Sequence, residues 1–165
     1  MCGETFYLQT LEFLNLKFKS EKVYNCYGST EVSPWVFYYE CKESDVLGYS
    51  EQGLVPIGNK FNFSEHKIQN NELLISGPSV VDGYLNSDLN SKKFILSEGK
   101  RWYLTGDLVK LIKQNYFIYG RKDALIKVKG YRVELLDIDT KIRLLDKVQN
   151  SVVFAESFKD YEKVI

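Results

Sequence analysis

Histidine is almost absent from this 165-residue sequence: His66 is the only one, set among Phe63, Ser64, Glu65 and Lys67. A zinc centre needs several nitrogen or sulfur ligands converging on one point, so a lone histidine reads as a surface residue. The same scarcity argues against a Ser-His-Asp triad and an H-E-x-x-H metalloprotease. Cysteine is scarce too. Cys2, Cys26 and Cys41 make an odd count with no C-x-x-C pair, and the start, Met1-Cys2-Gly3-Glu4, lacks the basic stretch and apolar run of a secretory signal. Reduced thiols in a cytoplasmic protein are the simplest reading. Charge of one sign is missing as well. The 22 Lys and Arg balance the 22 Asp and Glu, which leaves no global pull toward nucleic acid or an anionic membrane. No run approaches the ~18 apolar residues of a membrane span. No Walker phosphate loop, G-x-x-x-x-G-K-[ST], occurs, and no internal repeat or low-complexity tract is visible.

What is present is material for a core: 44% hydrophobic residues, with 12 Tyr, 10 Phe and 2 Trp, too much for a disordered chain. Over residues 5–16, Tyr7, Leu8, Leu11 and Leu14 fall on one helical face. Val23-Tyr24 is a short apolar step, broken by the polar run 25–31. Val32 to Tyr39 is rich in β-branched and aromatic types and reads as a strand; Pro34 within it favours an edge position or a late start. Leu73-Leu74-Ile75-Ser76 is a strand closed by Gly77-Pro78, and Gly83-Tyr84-Leu85-Asn86 is a break. Residues 107–113 and 116–119 read as a hairpin linked by Gln114-Asn115. Leu125 to Val128 and Tyr131 to Val133 read as a second, turning at Lys129-Gly130. From Glu134 the period changes: Leu135, Ile138, Ile142 and Leu145 form an amphipathic helical stripe. Ser151 to Ala155 then reads as a buried strand, and Val164-Ile165 as a strand cut short. The order implies an α+β chain with a β-rich body followed by an α+β unit.

Three polar runs carry candidate chemistry. In Asn25-Cys26-Tyr27-Gly28-Ser29-Thr30-Glu31, Gly28 permits close approach of the backbone to a ligand. Ser29 and Thr30 offer groups that hold phosphate oxygens, Glu31 offers a hard carboxylate for Mg²⁺, and Tyr27 offers a ring to stack on a base. The same run also reads as a polar turn at a strand end. In Tyr103-Leu104-Thr105-Gly106-Asp107, a carboxylate after a Gly turn can accept bonds from vicinal ribose hydroxyls, as acidic residues do in dinucleotide folds; alternatively it is an ordinary turn with a capping Asp. Gly120-Arg121-Lys122-Asp123 is the third run, which by itself also reads as a solvated loop.

In this order the chain carries N-x-Y-G-x-T-E, G-P-S-V-x-x-G-Y-L, Y-x-T-G-D and G-R-x-D-x-x-x-K-x-x-G-x-R-x-E-L. It thereby resembles the adenylate-forming superfamily of nonribosomal adenylation domains, acyl-CoA ligases and luciferases, over a span from Cys2 to about Phe154. Asn25 and Cys2-Gly3-Glu4 make it most similar to amino-acid adenylation domains, and within these to D-alanine–carrier-protein ligases. The resemblance implies roles. Asn25 would bond the adenine edge and Tyr27 stack on its face, with Gly28 in the same turn. Thr30 would hold the α-phosphate, Glu31 would bind Mg²⁺, and Asp107 and Arg121 would hold the ribose. Asp123 would be the hinge of a mobile subdomain, and Cys2 would lie near the amino-acid side chain. It implies ATP/AMP and Mg²⁺ as cofactors. Its partners would be an amino-acid substrate, a carrier protein with a phosphopantetheine thiol and the rest of the same enzyme, without nucleic acid or membrane. It implies a division into residues 1–31, the end of a large α/β subdomain; 32–122, a β-barrel-like subdomain; and 123–165, the start of the small mobile α+β subdomain.

The sequence departs from the family pattern at Ser29, where Pro is usual, at Leu125, where Gln is usual, and at Leu136, where Gly is usual. The family's Ser/Thr/Gly-rich phosphate loop, with its Lys, and the catalytic lysine of the small subdomain are expected upstream and beyond Ile165. The expectation is therefore an internal piece of an ATP-dependent amino-acid-activating ligase, inactive by itself. Two alternatives stay open: a truncated non-catalytic module binding nucleotide or a partner, and a piece of an acyl-CoA ligase. A nucleic-acid reading of Arg121, Lys122, Lys127, Lys129 and Arg132 is disfavoured by the interrupting Asp123 and Glu134.

Overall fold

The computed structural model describes residues 3–18, 22–85, 87–128, 131–158 and 161–164. Helix α1 (Leu8–Phe18) opens the chain. Strands β1 (Val23–Ser29), β2 (Ser33–Cys41) and β3 (Asn59–Lys60) form an antiparallel sheet in that order. The short helix α2 (Asp45–Gly48) lies between β2 and β3. A second antiparallel sheet contains β4 (Glu65–Gln69), β5 (Glu72–Ser76), β7 (Lys100–Ile112) and β6 (Phe94–Ser97), with β8 (Asn115–Arg121) also on β7. A 3₁₀ turn (Ser87–Leu89) and helix α3 (Asn90–Lys93) precede β6. The hairpin β9 (Leu125–Val128) and β10 (Tyr131–Glu134), helix α4 (Leu135–Arg143), and the hairpin β11 (Ala155–Phe158) and β12 (Tyr161–Val164) follow. The architecture is α+β, as expected. The sheets are open, and among the described strands none closes into a barrel.

Three hairpins of the second sheet use two-residue loops with both residues at positive φ: Asn70-Asn71, Glu98-Gly99 and Lys113-Gln114. That is the mirror-image turn whose twist matches paired strands. The β7–β8 turn thus lies one residue earlier than Gln114-Asn115, because Asn115 already pairs with Ile112 and its amide donates to the Tyr49 hydroxyl. Two cores hold the layers together. Val36 and Phe37 of β2 meet Leu73, Ile75, Tyr103 and Val109 of the second sheet. Phe6, Leu8 and Leu11 around α1 pack on Leu54, Val55 and Phe117.

Several expectations are corrected. The 25–31 run does not break the strand: β1 continues through it to Ser29, and only Thr30 to Val32 form the turn. Pro34 is the second residue of β2, the central strand of its sheet, but β3 pairs with β2 only at Phe37 and Tyr38, so at Pro34 the strand is paired on one side alone. The proline is tolerated at a bulge, since pairing jumps from Tyr27–Phe37 to Ser29–Ser33. The same bulge explains Gly28. A Cβ there would lie 2.0 Å from the Ser33 carbonyl oxygen, so the close neighbour of this glycine is the β2 backbone. Gly28→Ala is expected to cost about 1–3 kcal/mol through overpacking, measured by urea unfolding; an unchanged midpoint would show that the bulge yields freely.

His66 is not a surface residue. It is half-buried, edge-on to Phe37 and Tyr116, with Nε2 2.9 Å from the Tyr116 hydroxyl. Burial, with Lys60 nearby, lowers its pKa. The stretch 151–154 is not a buried strand. Val152 is 81% exposed, and pairing begins only at Ala155, because Ser151 is tied to α4 by Asp139 and Arg143. In α4 itself the fully buried residues are Asp139 and Thr140 rather than the apolar stripe, and Leu145 lies past the helix end, 61% exposed.

Candidate functional site

Asn25 and Tyr27 are two residues apart on β1 and so share one face of the sheet. They line a cleft of about 430 Å³ together with Gly28, Asp107 and Arg121. Its other walls include Phe6, Ile57 and Ile118, and from the C-terminal part Ala124 and Leu136. Asn25 is buried, and its Nδ2 donates to the carbonyls of Pro56 (3.0 Å) and Val55 (3.4 Å). Its amide thus fixes one wall of the cleft, and its carbonyl oxygen is the remaining acceptor of the side chain.

Asp107 is reached through an irregularity in β7. The expectation of a turn before it is corrected: Tyr103 to Asp107 lie inside a strand of thirteen residues. The irregularity is a bulge at Gly106, φ +79°, where β5 pairing jumps from Leu74–Leu104 to Glu72–Leu108. Thr105 Oγ1 donates to the Leu73 carbonyl (2.8 Å) and accepts the Asp107 amide (3.0 Å). The buried Asp107 carboxylate accepts the Tyr27 hydroxyl on Oδ2 (2.5 Å) and Arg121 Nη1 on Oδ1 (2.7 Å). Arg121 also donates from Nε and Nη2 to Asp123, at 2.9 and 3.0 Å. Burial pushes the Asp107 carboxyl above its ordinary value, although Tyr27 and Arg121 pull the other way. Burial and the Asp107 charge push the Tyr27 hydroxyl well up. The hydrogen bonds from Arg121 hold Asp123 low.

Thr30 and Glu31 sit on the β1–β2 turn, and neither lines the cleft. Thr30 is exposed. Glu31 Oε1 accepts the Tyr84 hydroxyl (2.6 Å). Burial opposes ionisation of Glu31, but this bond and its neighbours outweigh it, and the pKa is lowered. Tyr84 is itself held by Asn90, whose side chain accepts the Tyr84 amide (2.7 Å) and donates to its carbonyl (3.3 Å). The sequence reading did not single out Tyr84 as a site residue, although it stands inside a quoted motif. Cys2 lies outside the described residues; Cys26 and Cys41 form no disulfide among them, and Cys26 is on the cleft wall.

The α4 segment joins the body through a polar cluster. Asp139 accepts Tyr7 Oη (2.6 Å), Arg143 Nε (2.8 Å) and Ser151 Oγ (2.7 Å), and the Arg143 guanidinium lies 4.2 Å from the Tyr7 ring centre. Burial opposes the Asp139 charge, yet the Ser151, Tyr7 and Arg143 bonds prevail and lower its pKa. A depressed carboxylate adds stability above its unfolded value, ~pH 4, and that stability is lost as pH falls through the folded value. Asp139→Asn is therefore expected to melt below wild type at pH 7, with the gap closing toward pH 3. A gap of equal size at both pH values would count against the charged form being the one held.

Known proteins match this chain over nearly all of its length. It is 35% identical over 155 residues to a D-alanine–D-alanyl carrier protein ligase of Staphylococcus epidermidis, covering 92% of this chain and 31% of the ligase. It is 33% identical to the Lactococcus lactis subsp. lactis ligase, covering 99% and 32%, and 30% identical to bacitracin synthase 2 of Bacillus licheniformis, covering 93% and 6%. The chain is homologous to a segment of the adenylate-forming enzymes. It spans about a third of the length of the carrier-protein ligases it matches. No protein-family model matches it. Among solved adenylate-forming structures, Klebsiella oxytoca NpsA in complex with 3-hydroxyanthranilyl-AMSN superposes with TM-score 0.85 at 22% identity, covering 98% of this chain and 36% of that one. The Vibrio cholerae adenylation domain AlmE, in complex with glycyl-adenosine-5'-phosphate, gives TM-score 0.64 at 28% identity, covering 97% and 32%. No helix of the described residues is long and apolar enough to cross a membrane.

Proposed function

We propose that this chain is the adenosine-binding segment of a longer ATP-dependent ligase. That ligase activates an amino acid, D-alanine being the first candidate, and passes it to a carrier-protein thiol. The observation that carries this reading is the convergence of Asn25, Tyr27, Asp107 and Arg121 on one cleft, in a chain whose relatives include D-alanine–carrier-protein ligases. In the reaction an amino-acid carboxylate oxygen attacks the α-phosphorus of ATP and pyrophosphate leaves. The phosphopantetheine thiol then attacks the acyl carbon and AMP leaves. Asp107 and Arg121 would orient the ribose, Asn25 and Tyr27 the base, and Thr30 the α-phosphate. Orientation lowers the barrier by removing rotational freedom before the chemical step.

Glu31 would hold Mg²⁺. Among the described residues no cluster of three or more His, Cys, Asp or Glu forms a metal cage. A single carboxylate fits an ion that takes its other ligands from water and substrate phosphates. Bound there, Mg²⁺ would neutralise charge developing on the phosphates. Asp123 would mark the start of the mobile subdomain, the chain dividing into residues 1–31, 32–122 and the mobile 123–165, and the partners would be the amino acid, the carrier protein and the rest of the enzyme.

The test is amino-acid-dependent ATP–pyrophosphate exchange by the full-length protein across D- and L-amino acids. Exchange with D-alanine and its loss in Glu31→Gln would support the reading. Exchange only with fatty or aryl acids would move the parent to the acyl-CoA ligases, and none with any acid would leave a non-catalytic nucleotide-binding module.

A further inference from the structure

One buried carboxylate is not used by the site as described. Glu72 opens β5 opposite the β7 bulge, and its side chain is only 6% exposed. Both of its oxygens are engaged. Oε1 accepts the backbone N–H of Gly106 (3.0 Å), and Oε2 accepts Lys122 Nζ (3.0 Å). Gly106 immediately precedes Asp107, and Lys122 stands between Arg121 and Asp123. The Lys122 amide returns a bond to the Gly106 carbonyl (2.7 Å). A bulge removes a strand amide from its ladder, and a buried amide without an acceptor is costly. Glu72 supplies that acceptor and ties the β7 bulge to the end of β8, the two places that present Asp107 and Arg121. A carboxylate suits this position because both partners are donors; a neutral amide satisfies one and opposes the other.

We infer that Glu72 is a positioning residue for nucleotide binding: it holds the Gly106 bulge and Lys122 so that Asp107 and Arg121 meet at ribose-binding distance. The inference rests on the nucleotide reading above, yet it also has a consequence in the ligand-free protein. Glu72→Gln keeps size and the acceptor to Gly106 but sets an NH₂ group against the Lys122 ammonium. The register of Asp107 against Arg121 then relaxes, and the Asp107 carboxylate loses part of its cationic partner.

The experiment is an NMR titration of wild-type and Glu72→Gln chains, with the Asp107 carboxylate followed by its ¹³C shift against pH and with AMP and adenine added separately. Melting temperature serves as the check on folding. The expected result in Glu72→Gln is a rise of the Asp107 midpoint, a roughly tenfold weaker response to AMP, an unchanged response to adenine and a nearly unchanged melting temperature. Parallel weakening of AMP and adenine, with a large fall in melting temperature, would assign Glu72 to general folding and overturn the inference. An Asp107 midpoint that is unmoved, or that falls as the loss of a neighbouring negative charge alone would make it, would also overturn it. If wild type fails to respond to AMP, the nucleotide reading of this chain fails. The Asp107 midpoint then still decides, by itself, whether Glu72 sets the Asp107–Arg121 geometry.

Discussion

Phe37→Ala is expected to remove about 3–5 kcal/mol of folding free energy, the usual cost of deleting a buried aromatic side chain. Phe37 is fully buried where β2 meets the second sheet. Its ring stands edge-on to three others: Tyr27 (6.0 Å), His66 (5.3 Å) and Tyr116 (6.1 Å). Such pairs add about 0.5–1.5 kcal/mol beyond area burial. Three different elements meet at this ring, so none can collapse into the cavity without leaving its own strand register. A domain of this size has about 5–15 kcal/mol in total, so the variant should sit near the edge of folding at 37 °C. Urea unfolding measures it, with Phe63→Ala, on a ring 47% exposed, as a control expected to lose under about 1 kcal/mol. Equal losses in the two variants would deny Phe37 its central place. The site should feel the change as well, since Tyr27 packs on Phe37 with one end of its ring and bonds Asp107 with the other.

Asp107→Asn is expected to weaken AMP at least tenfold and leave adenine unaffected. Hydrogen bonds to a charged group are worth about 1.5–3 kcal/mol, and about 1.4 kcal/mol is tenfold in affinity. The substitution also turns one acceptor into a donor that faces either the Tyr27 hydroxyl or the Arg121 guanidinium, both donors themselves. Because burial raises the Asp107 pKa, wild-type AMP binding should fall as pH drops through a midpoint above the ordinary carboxylate value, while Asp107→Asn shows no such step. The sign for stability is opposite. A carboxyl whose folded pKa is raised favours folding below its unfolded value, ~pH 4, and that contribution is lost as pH rises through the folded value. At pH 7 the ionised Asp107 is therefore a burden on the fold relative to its protonated form, so wild type should gain stability as pH falls through the Asp107 midpoint, a gain that Asp107→Asn lacks. Isothermal titration with AMP and adenine from pH 3 to 8, beside thermal melts, checks both parts. Equal weakening of the two ligands would remove Asp107 from ribose recognition.

How much could be read beforehand follows from the range of the forces involved. Helix α1, strand β5 and the hairpins at 107–119 and 125–133 were legible because alternation, helical spacing and turn residues act over a few neighbours. The residues that line the cleft were legible only as types in motifs: a carboxylate after Gly106, an arginine after Gly120. Their partnership was not. Tyr27 and Asp107 are 80 residues apart, and no local pattern says that a tyrosine on one sheet will donate to an aspartate on another. Nor does local pattern separate two readings of Gly28, an opening for ligand and an accommodation of the Ser33 carbonyl.

The same limit explains what α4 buries. The stripe of Leu135, Ile138 and Ile142 was a sound periodic signal, and those residues are half-buried, yet the tertiary structure buries the neighbouring Asp139 more deeply, because Tyr7, Arg143 and Ser151 together satisfy its carboxylate. By itself the sequence determined the α+β class, the helix, strand and hairpins just named, and the chemistry the chain can offer, since these depend on residue identity and near-neighbour spacing. Only the tertiary structure decided which of those groups meet. A buried charge such as Glu72 or Asp107 is tolerated where distant donors converge on it, and convergence is a property of packing rather than of any stretch of chain.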